Sequence, residues 1–243
     1  MTLNMLIGIL EQGLIYGIMA MGLLITYRIL DFPDLTVDSS FPLGAAVSAT
    51  LTLQGVAPWL TLLIGCAAGG IAGLITGLIH VKCRVRDLLS GIITMTGLYS
   101  INLHIAQNKA NLPLFGGDTL FRNAFTKSLP KAISPYTTLI IIFLIALIAK
   151  ILLDLFLRTK CGYLLRAAGD NPSVVTTLSR DQGTVKILGL IIANALVALA
   201  GASSSVSSTF RWAQARWSPG LRPSSSARIS SATPPSSAPP PWC

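Results

Sequence analysis

Five long apolar runs constrain this chain more than any other feature: Leu3 to Tyr27, Trp59 to His80, Asp87 to Ile105, Tyr136 to Leu157 and Gly183 to Ala202. A helix rises about 1.5 Å per residue, so about 20 apolar residues cover a hydrocarbon core of about 30 Å. Each run has that reach, and few charges interrupt them. With 52% hydrophobic and 11% charged residues, the chain has too little polar surface for an ordinary water-soluble domain. The expected fold is all-α, a polytopic transmembrane helix bundle of about five to six membrane segments over residues 1–202, with the bilayer as its solvent.

Charge placement gives an orientation. The formal net charge is +9, and much of the basicity lies between the apolar runs. "HVKCRVRD", His80 to Asp87, carries Lys82, Arg84 and Arg86 beside two membrane edges, which the positive-inside bias assigns to the cytoplasm. The basic loop Arg158 to Gln182 comes two crossings later and agrees. Between them, Gln107 to Pro135 is then external, although Lys109, Arg122, Lys127 and Lys131 run against the bias. The N-terminus lacks a basic region and a small-residue cleavage site, so the first run is expected to persist as an anchor. Bases are not interleaved with aromatics, so nucleic acid is not an expected partner. Cys66, Cys83, Cys161 and Cys243 form no C-x-x-C pair, and no metal site is expected. His80 and His104 lie near helix ends with no partner motif for a nucleophile, so no catalytic residue is expected.

A shorter run, Phe41 to Leu53, is closed by Gly55 and Pro58. It fits a short crossing, a re-entrant segment or half of a broken helix. Ahead of it, Asp31, Asp34 and Asp38 lie in "YRILDFPDLTVDSSF", where Pro33 keeps Phe32 out of helical geometry and Asp38, Ser39 or Ser40 is a candidate cap. Gly65, Gly69, Gly73 and Gly77 recur every four residues, a small-residue stripe that lets another helix backbone approach closely. Polar residues inside apolar runs are costly and mark candidate solute contacts: Glu11 and Gln12 in the first run, Thr94, Thr96 and Asn102 in the third. For Glu11 an interfacial carboxylate is the competing reading, and for the threonines a bond to their own helix backbone.

"RTKCGYLLRAAGDNPSVVTTLSRDQG", Arg158 to Gly183, predicts two short helices around a sharp turn. It has a short apolar face, Gly169 as a left-handed stop, and a restart at Asp170 or Asn171 before Pro172. Within it, "GYLLRAAGDNPSVV" is similar to the G-x-x-x-R-A-x-G-x-N-P segment of permease subunits of ATP-binding-cassette importers of the branched-chain amino acid and ribose type. "ITYRILDFPDLTVDSSFPLGAAV", Ile25 to Val47, and "LSGIITMTGLYSINL", Leu89 to Leu103, resemble the tryptophan/tyrosine-type uptake branch of that family. The resemblance covers Met1 to about Gly201. It implies that Gly162, Arg166, Ala167, Gly169, Asn171 and Pro172 form the element that docks into the ATPase. It further implies a homodimer in the bacterial inner membrane, an external substrate-binding protein, and a small polar organic solute, with the label of that branch pointing to an aromatic amino acid. No Walker A pattern occurs, so ATP belongs to a partner subunit and no cofactor is expected on this chain. An ion-coupled secondary transporter is the alternative, and it requires coupling carboxylates near the midplane.

After Ala202 the composition turns to serine, proline and arginine, and residues 203–243 are expected to form a disordered tail. Arg211 to Ser230 has synonymous codons that, read from the third base, spell MGTGTLVTGLASVIIGEDL, an apolar segment of membrane character. A one-base frameshift near Ala202 to Ser205 is therefore expected, with further helices lost.

Overall fold

The computed structural model describes residues 2–106, 134–170 and 182–206. These residues form seven α-helices and one π-helical turn: α1 (Thr2–Leu23), the π turn (Leu24–Ile29), α2 (Val37–Leu53), α3 (Pro58–Lys82), α4 (Asp87–Ile105), α5 (Ser134–Leu157), α6 (Lys160–Asp170) and α7 (Gln182–Val206). Five of the helical spans are long and apolar enough to cross a membrane, and they coincide with the five apolar runs. This is a multi-pass membrane architecture built from helices alone among the described residues. Helices suit that setting because they satisfy every interior backbone group within the segment.

The first span widens before it ends. Leu30 N–H donates to the Ile25 carbonyl at 2.9 Å and Phe32 N–H to the Thr26 carbonyl at 2.9 Å, each spanning more residues than an α-turn allows. Asp31 then takes a left-handed φ of 52° and Pro33 prevents the helix from resuming at once. The N-cap position of α2 is Thr36, not Asp38, Ser39 or Ser40, and no side chain caps the helix; Asp34 Oδ1 accepts the Thr36 N–H at 2.9 Å in the turn just ahead of it. The short run is thus part of a helix that starts at Val37, earlier than its apolar stretch.

Helix α7 occupies the centre, in contact with α1, α2, α3 and α6. Glycine makes those approaches possible. On α3, a Cβ at Gly69 would sit 2.5 Å from the Asn194 carbonyl oxygen, one at Gly77 2.9 Å from Ile187 Cγ1, and one at Gly65 3.1 Å from the Ala202 methyl; Gly73 lies against the Leu190 carbonyl. Gly22 of α1 meets the Ala193 carbonyl in the same way, and on the α2 side Gly44 and Gly201 face Ala198 and Phe41 backbone. Close approach supplies the van der Waals contact that holds helices together where expelling water contributes nothing.

Helix α7 also runs past Ala202 to Val206, with Ser48 of α2 hydrogen-bonded to the Ser205 hydroxyl. The remainder of the tail, residues 207–243, lies outside the described residues, as does the 107–133 loop.

Candidate functional site

Every lysine and arginine among the described residues, from Arg28 to Lys186, lies at or within about two turns of one end of the bundle. That end carries α6. Its residues Gly162, Leu165 and Ala168 are buried at i, i+3 and i+6, while Tyr163 and Arg166 on the other side are exposed and Ala167 is half-buried. An amphipathic helix of this kind lies on the bundle with one face free.

Its seat is tight. Leu165 is fully buried in a cluster with Ile25, Ile29, Leu30, Phe32, Leu153, Leu157, Leu190 and Ala193. Gly162 abuts Leu157, where a Cβ would lie 2.5 Å from the Leu157 Cα, and Gly169 abuts the Ile29 carbonyl at the end of the π turn. The expected left-handed stop at Gly169 does not occur: α6 continues through it to Asp170. The glycine is needed for close approach to Ile29 instead. Asn171 and Pro172 lie outside the described residues.

One step deeper is a buried polar cluster. Asn194 of α7 donates from Nδ2 to Asp34 Oδ2 at 2.8 Å and to the Leu190 carbonyl at 3.1 Å, and its Oδ1 accepts the Ser40 hydroxyl at 2.7 Å. Asp34 Oδ1 also accepts the Thr36 hydroxyl. Asp34 is 1% exposed, and Thr36, Ser40 and Asn194 are fully buried. Asn194 lies twelve residues along α7, about 18 Å from its start. Helix α2 therefore begins near mid-depth, and the non-helical Asp31–Leu35 connection reaches that level at Asp34. Phe32 and Asp34 are buried, which shelters part of this backbone without helical hydrogen bonds, whereas Asp31 and Pro33 are exposed.

The residues proposed as solute contacts separate into two groups. Glu11 is buried, 6% exposed, on α1. Thr94 and Asn102 lie on the buried side of α4, where Thr94 bonds to the Ser90 carbonyl at 3.0 Å and Asn102 Nδ2 donates to the Ser39 carbonyl at 3.0 Å. The Ser39 hydroxyl returns a bond to the Met95 carbonyl at 3.0 Å, so α2 and α4 are joined twice. The Asn102 Oδ1 is buried without a hydrogen-bond partner among the described residues. By contrast, Gln12 and Thr96 are exposed on the outer surface of the bundle, Gln12 reaching Tyr16 and Thr96 bonding to the Ile92 and Ile93 carbonyls. Asn194 escaped the sequence reading, although a lone asparagine inside "ILGLIIANALVALAG" is the polar-in-apolar signal that picked out Asn102. No three His, Cys, Asp or Glu side chains among the described residues converge as metal ligands would.

Comparison with known proteins joins these features. Residues 5–237 match the family model described as branched-chain amino acid transport system, permease component. The chain is 43% identical over 196 residues to a tyrosine transport system permease protein of Clostridioides difficile strain R20291, covering 81% of this chain and 62% of that protein. It is 34% identical to an uncharacterized protein of Rickettsia prowazekii strain Madrid E over 84% of this chain and 68% of that one. It is also 29% identical to a probable branched-chain amino acid transport permease protein of Methanocaldococcus jannaschii over 79% of this chain and 64% of that one. No solved structure matches. The chain spans about two thirds of the length of these curated relatives. With its apolar helices, central glycine seam and matched sequence, it belongs to the branched-chain amino acid transport permease family.

Proposed function

We propose that the chain is the permease subunit of an ATP-binding-cassette importer in a bacterial inner membrane, moving an amino acid inward. It works as a homodimer, receives solute from an external binding protein, and takes its energy from a separate ATPase. The basic end of the bundle faces the cytoplasm, in keeping with the positive-inside bias. A tyrosine-like solute is the first choice because a similar protein is named for tyrosine transport.

The observation that carries the reading is the seating of α6. Its free face offers Tyr163 and Arg166 to a partner, while Gly169 and Leu165 lock its other face onto the π turn and α7. A push on this helix is delivered to Ile29 and Leu30 directly. From there it reaches Asp34, whose side chain is tied to Asn194 at mid-depth. A rigid docked helix can transmit a domain stroke of this kind.

The test is uptake of labelled tyrosine into vesicles holding the chain, its ATPase and its binding protein. Uptake is expected to require ATP and to fall to background in Arg166→Glu, with the variant still folded. Uptake driven by an ion gradient without the ATPase would sink the reading. The secondary-transporter alternative draws on one observation, the buried Asp34 carboxyl near mid-depth. Under that alternative, Asp34→Asn abolishes gradient-driven uptake and Arg166→Glu leaves it intact.

A further inference from the structure

At the basic end, α3, its turn into α4, and the start of α7 enclose an open cavity of about 420 Å³ lined by His80, Arg84, Arg86, Asp87, Gly183 and Lys186, with Val81 and Val85. Its electrostatics are one-sided. The one carboxylate in the lining, Asp87, is engaged by His80, whose Nδ1 lies 3.0 Å from Asp87 Oδ1 and 2.9 Å from the Val85 carbonyl. Arg84, Arg86 and Lys186 have no ion-pair partner among the described residues. The turn that presents the two arginines is held in place: Arg84 adopts a left-handed φ of 53°, and the His80 ring is gripped by Phe32 edge-to-face at 5.2 Å.

Immediately past Asp87, α4 carries Leu88, Leu89, Ile92 and Ile93, all exposed large apolar side chains within a membrane span. Cations lining the cavity, and exposed apolar residues on the first turns of the helix that leaves it, match an anionic amphiphile. Neither a free anion nor an acidic protein surface would use the apolar part. We propose that this cavity binds the phosphate headgroup of an anionic membrane lipid, with its acyl chains along α4. Basic pockets between membrane helices at the cytoplasmic edge are suited to such headgroups, each cation contributing by charge attraction.

The experiment is native mass spectrometry of the purified full chain from nanodiscs containing equal phosphatidylglycerol and phosphatidylcholine. The wild type is expected to retain phosphatidylglycerol selectively. The triple variant Arg84→Gln, Arg86→Gln, Lys186→Gln is expected to lose that retention by on the order of a hundredfold. Equal retention of the two lipids by the wild type overturns the proposal, and so does unchanged retention in the triple variant. Displacement of the bound lipid by inorganic phosphate at millimolar level would reassign the cavity to a soluble anion. Arg86→Gln alone, at an exposed position, reads the same effect in smaller measure should the triple variant not fold.

Discussion

Helices α5 and α7 are both membrane spans, yet they sit at opposite extremes of the bundle. Helix α5 is the more apolar, written in Ile, Leu and Phe, and only 17% of its most apolar stretch is buried; for α7 the figure is 50%. In water the order would be reversed, because burial follows apolar area. In lipid an exposed leucine costs nothing, and the centre goes to the helix whose neighbours can come closest. Helix α7 wins it with Gly189, Gly201, a run of alanines and serines, and glycines facing it from α1, α2 and α3.

That contrast can be broken deliberately. The largest effect is expected from Gly69→Leu, where even a Cβ would meet the Asn194 carbonyl and the Ala198 methyl. Overpacking typically costs about 1–3 kcal/mol, and a whole isobutyl group between two backbones lies at or beyond the upper end. The expected readout is a lost monodisperse peak in detergent; a wild-type elution profile would refute the seam.

Next is Asn194→Ala, which leaves Asp34 Oδ2 and the Ser40 hydroxyl without their partner. Stranded buried polar groups cost about 1–3 kcal/mol, so the thermal midpoint should drop measurably, and Asn194→Asp should not restore it because it removes the donor to Asp34. Gly169→Ala is a subtler intervention: the added methyl must push α6 off the Ile29 carbonyl. If the proposed function holds, ATP-dependent uptake is expected to fall well before stability does, which a comparison of uptake with thermal unfolding would show. At the small end, Leu152→Ala on α5, where the side chain is 60% exposed, is expected to change stability by less than about 0.5 kcal/mol. A larger loss would mean that a further protein surface covers this face.

The helix spans were legible because length and apolarity are local properties of the sequence. So was the α3 stripe, since a four-residue repeat of glycine has one geometric meaning on a helix. Which helix it serves was not legible, because pairing is decided by shapes on both sides. Gly169 shows the limit plainly: a glycine signals either a left-handed backbone or a near neighbour, and the choice here depended on Ile29, distant in sequence. The polar residues divide for a related reason. Thr94 and Asn102 are buried while Thr96 and Gln12 face outward, a matter of helix rotation that apolar flanks on all sides do not reveal. Asp34 read as one of three loop aspartates, and only the partner on α7 distinguishes it.

The crowding of the cations at one end has an electrical consequence. Asp34 and Asp38 lie at the level of Asn194; beyond that level, toward the opposite end, the described residues contain one Asp, Glu, Lys or Arg, namely Glu11. Moving one elementary charge through the full membrane potential takes about 2.3 kcal/mol per 100 mV. Helices that shift in this half of the bundle carry almost no gating charge, so their motion does almost no work against the voltage. The dependence of turnover on membrane potential should then report the charge of the solute itself.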